Sequence, residues 1–191
     1  NGFLIGSALM SEADLSAAVR RVIIGDNKVC GLTRAGDARS ALEAGAVYGG
    51  LIFAEGSPRK VTPEQAKTVM AGGALKYVGV FRNNSLSDVV TISRELGLSA
   101  VQLHGDEDRD FVAELRRQLP DEVKIWKAFS IRSALPARDW PHVDRYVFDN
   151  GSGGTGNRFD WALLEGEKLD NVLLAGGLGA DNCVSAARLG C

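Results

Sequence analysis

Short apolar runs alternate with amphipathic stretches along the chain, and each pair reads as a strand followed by a helix. The first run is Phe3 to Ile5, followed by a helix predicted from about Glu12 to Ile23 with Ser11 as its N-cap. Lys28 to Thr33 reads as the next strand, and Arg34 to Ala44 as a helix that Gly45 stops. Val47 to Phe53 is then a strand, the polar stretch from Ala54 to Lys60 a loop, and Pro63 to Met70 a helix capped by Thr62 with proline at its first position. Lys76 to Phe81, Ala100 to Leu103, Val123 to Ala128, Val143 to Phe148 and Asn171 to Leu174 are further strands. Between and after them, helices are predicted over Ser85 to Leu96, Glu107 to Gln118, a short segment opened by Phe159-Asp160-Trp161, and Asp181 to Leu189. The pattern blurs between Phe129 and Trp140, where Pro136 and Pro141 break any long helix.

Counted from Phe3, these are eight strand-helix units, the number that closes a parallel barrel with its helices outside. A doubly wound open sheet competes, but it places a glycine fingerprint after its first strand. Here Cys30-Gly31-Leu32-Thr33 stands in the turn after the Lys28 strand. In a barrel, reactive groups collect at the C-terminal strand ends, and Cys30, His104, Asp149 and Gly176-Gly177 all fall there.

Composition narrows the function classes. At 191 residues and 45% hydrophobic, the chain builds a sizeable core. A formal net charge of -2 provides no basic field for nucleic acid, and no run of about 18 apolar residues is present to span a membrane. The apolar start lacks a basic lead-in and is followed by Glu12 and Asp14, unlike a secretory signal, so a reduced, cytoplasmic setting is expected. Three cysteines without close Cys/His pairs, and only two histidines, offer no metal site, and none is expected.

Side chains alternate along a strand, which puts Lys28 and Cys30 on one face. A neighbouring ammonium favours the thiolate, a nucleophile or base; the alternative is a small buried hydrophobe. Asp149 ends an apolar strand and is either a general acid or a cap on the following turn. The glycine-rich Gly151 to Gly156 has no lysine and does not match a P-loop; it reads as a lid. Gly176-Gly177 precedes a helix and offers backbone amides to a phosphate, or else makes a tight turn. Arg59 is a candidate fork for a substrate carboxylate, His104 reads as polar lining, and Cys183 as a core residue inside the last helix.

Lys28-Val29-Cys30-Gly31-Leu32-Thr33, Ser57-Pro58-Arg59, Gly79-Val80-Phe81, Val101-Gln102-Leu103-His104-Gly105, Asp149-Asn150-Gly151 with Gly153-Gly154-Thr155-Gly156 and Phe159-Asp160-Trp161, and Ala175-Gly176-Gly177-Leu178 occur in this order. Together they resemble the phosphoribosylanthranilate isomerase family of tryptophan biosynthesis, over roughly residues 27 to 191. The resemblance implies a TIM barrel of the ribulose-phosphate-binding type, here lacking its own eighth strand, and an Amadori rearrangement of a small phosphorylated substrate without a cofactor. By the same likeness Cys30 is the general base, Asp149 the general acid, Arg59 the holder of the anthranilate carboxylate, and Gly176 and Gly177 part of the phosphate loop; His104, polar lining rather than a satisfied structural histidine by its own motif, is counted with the substrate-binding residues.

The first 25 residues resemble something else, the last strand and helix of indole-3-glycerol-phosphate synthase, carried by the stretch from Gly2 to Met10. That likeness matches Gly6 and Ser7 to part of the synthase phosphate site and implies a covalently joined upstream synthase domain in a bifunctional parent, with residues 1–25 and 26–191 as the two portions. The catalytic residues of the synthase lie upstream of this stretch, so decarboxylating ring closure by the chain itself is not expected. The Phe3 to Ile5 strand is expected to fill the eighth position of the barrel. Two rivals stand beside this reading: a catalytically inactive barrel that only binds a phosphorylated ligand, and the related sugar isomerase of histidine biosynthesis, which has a carboxylate where Cys30 stands.

Overall fold

A computed structural model of the chain describes residues 14–151 and 158–190. Helix α1 (Leu15–Ile24) leads into β1 (Lys28–Cys30), and the two element types then alternate through α2 (Ala35–Glu43), β2 (Tyr48–Ile52), α3 (Pro63–Met70) and β3 (Lys76–Phe81). The alternation continues through α4 (Leu86–Leu96), β4 (Ala100–Leu103), α5 (Arg109–Gln118) and β5 (Lys124–Ser130). Strand β6 (Arg145–Asp149), a 3-10 turn (Trp161–Leu164), β7 (Val172–Leu174) and α6 (Cys183–Ala187) complete the order. No helix among the described residues is long and apolar enough to cross a membrane.

The seven strands pair in sequence order, and every pairing is parallel. A doubly wound sheet reverses direction at a switch point; this sheet never does. It also curls back on itself. The rings of Tyr48 on β2 and Trp126 on β5 meet edge to face at 5.0 Å, although two strands separate them in the sheet. Arg145 on β6 binds Asp26, just before β1, at 2.6 Å, and its guanidinium lies over both rings at 5.9 and 5.5 Å. These contacts form the floor of a barrel-type sheet of seven strands. The predicted Phe3 to Ile5 strand and the Ser11 cap lie outside the described residues, as do Gly6, Ser7 and residues 152–157 of the glycine-rich loop.

Each strand divides its side chains between two layers. Leu51, Phe53, Tyr77, Phe81, Val101, Leu103 and Ile125 pack outward against Ala38, Ala41, Ala66, Val69, Val89, Val112 and Leu115 of the helices. Val78, Ala100, Trp126, Ala128 and Val147 point the other way and fill the interior. The caps explain where the helices begin. Thr62 and Gln65 form a reciprocal box before Pro63, Ser85 accepts the Asp88 N–H, and Asp108 accepts the Phe111 N–H.

Three of the boundaries that differ from the sequence reading have a visible local cause. Strand β5 extends past Ala128 to Ser130, because β6 supplies pairing partners for Phe129 and Ser130 in Phe148 and Asp149. Helix α5 starts at Arg109 rather than Glu107, whose carboxylate turns inward to a buried lysine. The last helix is only Cys183–Ala187, because the Asn182 side chain bonds Gly179 N and Gly177 O and so belongs to the loop. Cys183, expected in the core, is exposed at the start of that helix.

Candidate active site

Parallel strands bring their C-terminal ends to one rim. Cross-strand register carries one face around that rim: Cys30 stands beside Gly50, Gly50 beside Val78, Val80 beside Gln102, Ala128 beside Val147, and Ser130 beside Asp149. His104, two residues past Gln102, shares the face by strand alternation. Cys30, Gln102, His104 and Asp149 therefore all belong to the interior-facing set.

Cys30 is exposed, which removes the reading of a small buried hydrophobe. Its Sγ lies 2.8 Å, and the Lys28 Nζ 2.9 Å, from the point where a Cβ on Gly50 would sit. Thiol and ammonium are thus less than 6 Å apart over a glycine that leaves room for both. Arg59, on the loop after β2, donates from Nη1 to the Cys30 carbonyl at 3.1 Å and lies across Gly31, which holds φ at +84°. A side chain at Gly31 would meet that guanidinium at 2.7 Å. Cys30 and Arg59, far apart in sequence, are neighbours at the rim.

Asp149 is 8% exposed and ends β6. Its Oδ1 accepts the Asn150 N–H at 2.6 Å and lies against Gly176, where a Cβ would come within 2.5 Å of it. Gly176 sits at φ +81°, so both conformation and space call for glycine there. The other oxygen, Oδ2, faces His104 Nε2 at 3.5 Å. Burial holds the His104 pKa below the ordinary histidine value, the nearby Asp149 carboxylate opposes this, and Lys28, Lys127 and Arg82 add to the lowering.

Behind the rim lies a polar network that sequence reasoning missed. Lys127 on β5 donates to Gly105 O at 2.7 Å and to Glu107 Oε2 at 3.0 Å. Glu107 in turn accepts the Gly105 N–H at 2.9 Å and the Asn83 N–H at 2.8 Å. Asn83, at φ +56°, accepts the Asp106 N–H through its side chain. The network fixes the turn that carries His104. The available signal was a lysine inside the otherwise apolar run Ile125-Trp126-Lys127-Ala128-Phe129. Gln102 was likewise visible within its motif without a role assigned to it.

The arrangement offers a thiol beside an ammonium, a carboxyl group with one oxygen directed at an imidazole, an arginine at the thiol's own backbone, and a glycine turn beside the carboxyl.

The family model for N-(5'phosphoribosyl)anthranilate (PRA) isomerase matches residues 27–191. The tryptophan biosynthesis protein TrpCF of Salmonella typhi is 64% identical over the whole chain, which spans 42% of that relative's length. Phosphoribosyl anthranilate isomerase from Thermus thermophilus superposes with a TM-score of 0.72 at 31% identity, covering 85% of this chain and 82% of that one. A phosphoribosyl anthranilate isomerase solved with reduced 1-(o-carboxyphenylamino)-1-deoxyribulose 5-phosphate superposes with a TM-score of 0.69 at 25% identity, over 85% of this chain and 80% of that one. With its fold and residues 27–191 in agreement, the chain belongs to the N-(5'phosphoribosyl)anthranilate isomerase family.

Proposed function

We propose that the chain carries out the Amadori rearrangement of N-(5'-phosphoribosyl)anthranilate to 1-(2-carboxyphenylamino)-1-deoxyribulose 5-phosphate, in the cytoplasm and without a cofactor. Asp149 is the general acid and protonates the ribose ring oxygen as the C1'–O bond breaks, leaving a protonated Schiff base at C1'. Cys30 is the general base and takes the proton from C2'; the electron pair of that C–H bond neutralises the iminium nitrogen. The resulting enolamine takes a proton at C1', its C2' hydroxyl gives up a proton, and the ketone forms. Arg59 holds the anthranilate carboxylate, Gly176 and Gly177 offer amides to the phosphate, and His104 lines the site. The observation that carries this reading is the placement of the exposed Cys30 thiol and the Asp149 carboxyl on one face of one rim, with Arg59 bound to the Cys30 carbonyl. The relative solved with a reduced product analogue supports the substrate class.

Residues 1–25 are read as the end of an upstream synthase barrel and 26–191 as the isomerase portion, so that the full-length protein also makes indole-3-glycerol phosphate. The share of the Salmonella relative that the chain spans supports this reading.

The test follows the fluorescence of phosphoribosylanthranilate with the chain itself and with the chain continued through one further strand-helix unit, as in its longer relatives. Turnover that Cys30→Ala and Asp149→Asn each reduce by about 10²–10⁴ supports the assignment. A folded, continued chain without turnover, or a Cys30→Ala variant as active as its parent, overturns it.

A further inference from the structure

The two oxygens of Asp149 have different surroundings. Oδ1 accepts the Asn150 N–H and lies close against Gly176, while Oδ2 lies 3.5 Å from His104 Nε2. On the far side of the imidazole, Nδ1 lies 3.1 Å from the Gln102 side-chain nitrogen. An amide nitrogen only donates, so Nδ1 is the accepting nitrogen of the ring. A neutral imidazole carries one proton, which then sits on Nε2, facing Asp149.

We propose that Gln102 is a positioning residue for the acid: by donating to Nδ1 it holds His104 as the Nε2–H tautomer and aims that N–H at Oδ2 of Asp149. This deepens the isomerase reading and rests on it for its catalytic consequence. When Asp149 gives up its proton, a carboxylate remains in a buried position, at 8% exposure. A neutral N–H already aimed at Oδ2 stabilises that carboxylate without bringing a second proton that would compete for the substrate.

Several features favour the neutral ring over the imidazolium. His104 is faced by Asp149 from β6, but also by Lys28 from β1, Lys127 from β5 and Arg82 from the loop after β3. Three cations oppose a fourth, and burial acts in the same direction. Gln102 is itself well placed to set the tautomer. It is 3% exposed and sits within β4 between buried neighbours, so its side chain has little freedom to turn away from the ring. The turn after His104 is anchored separately by Lys127 and Glu107, which leaves Gln102 to set the tautomer rather than the loop.

The experiment is ¹⁵N nuclear magnetic resonance of the histidine side chains in the 191-residue chain, which holds only two histidines, His104 and His142. The expected spectrum at pH 8 shows His104 neutral and protonated on Nε2. Gln102→Leu is expected to lose that preference, and Gln102→Glu, whose carboxylate only accepts, to move the proton to Nδ1. In the continued chain, Gln102→Leu is expected to lower kcat about tenfold, a part of what a general acid is worth, with KM within about twofold. A wild-type His104 protonated on Nδ1, or a Gln102→Leu variant with unchanged tautomer and unchanged kcat, overturns the proposal. The wild-type spectrum decides even if a variant fails to fold. Absence of turnover in every form would overturn the isomerase reading instead, because the tautomer is read without substrate.

Discussion

Lys127 places its ammonium 3.0 Å from a Glu107 carboxylate oxygen, and both side chains are 3% exposed. The pair has further partners: Gly105 O for the lysine, and the Gly105 and Asn83 N–H groups for the glutamate. Removing one partner of such a pair leaves a buried charge without compensation. Lys127→Met is therefore expected to cost about 3–5 kcal/mol in urea unfolding. A double variant with Glu107→Leu should recover part of that loss in the charge term while still releasing the Gly105 and Asn83 N–H groups. A Lys127→Met protein as stable as the wild type would show that the network contributes nothing to the fold.

Gly50 decides whether Cys30 and Lys28 can stand together. A methyl group there would meet Cys30 Sγ at 2.8 Å, Lys28 Nζ at 2.9 Å and Cys30 Cα at 3.0 Å. Crowding of this kind costs about 1–3 kcal/mol where a core cannot yield. Strand β1 has three residues and pairs only with β2 among the described residues, so it yields by moving the thiol and the ammonium. Gly50→Ala is expected to lower kcat by about tenfold or more while the melting temperature falls by only a few degrees. Equal activity would mean that the thiol works without its lysine.

Arg59, the proposed holder of the substrate carboxylate, is expected to bear on substrate binding more than on the fold. Its Nη1 bonds the Cys30 carbonyl and its side chain crosses Gly31, leaving the rest of the guanidinium for a carboxylate. A charge-assisted bond is worth about 1.5–3 kcal/mol, so Arg59→Lys should raise KM about tenfold to a hundredfold with a smaller change in kcat. Gly31→Ala should shift KM in the same direction, since the new methyl would displace the guanidinium. Steady-state kinetics that show kcat falling instead would place Arg59 in the chemistry rather than in binding.

Stability should fall on mild acidification. Burial lowers the His104 pKa below its ordinary value of 6.5. Between the two values the unfolded chain binds more protons than the folded one, so unfolding free energy rises with pH across that window. The cost is fully present below the folded value and is gone above about 6.5. Denaturant midpoints measured from about pH 7.5 down to about pH 5 should decline more steeply in the wild type than in His104→Gln. Parallel slopes would show that His104 does not contribute to the acid sensitivity.

Local patterning determined most of the architecture. Thr62-Pro63 with Gln65, Ser85 with Gly97, and the apolar runs at Lys76–Phe81 and Ala100–Leu103 carry their own instructions, because caps, turns and period-two burial act over a few residues. The strand-end polar residues Cys30, His104 and Asp149 were legible for the same reason: a barrel of known topology has only one rim for them. What a residue faces across the barrel has no local signature. Arg145 finds Asp26, 119 residues earlier in the chain, and nothing near either residue announces the other. Lys127 reads locally as a flaw in an apolar strand and becomes comprehensible only beside Glu107, which local pattern assigned to a helix. Cys183 reads as core by periodicity, yet Asn182 pulls the loop away and leaves the thiol exposed. Sequence spacing thus determined which groups reach the rim, while the closure of the sheet decided which of them touch, because contact across a barrel depends on strand register and curvature summed over the whole chain.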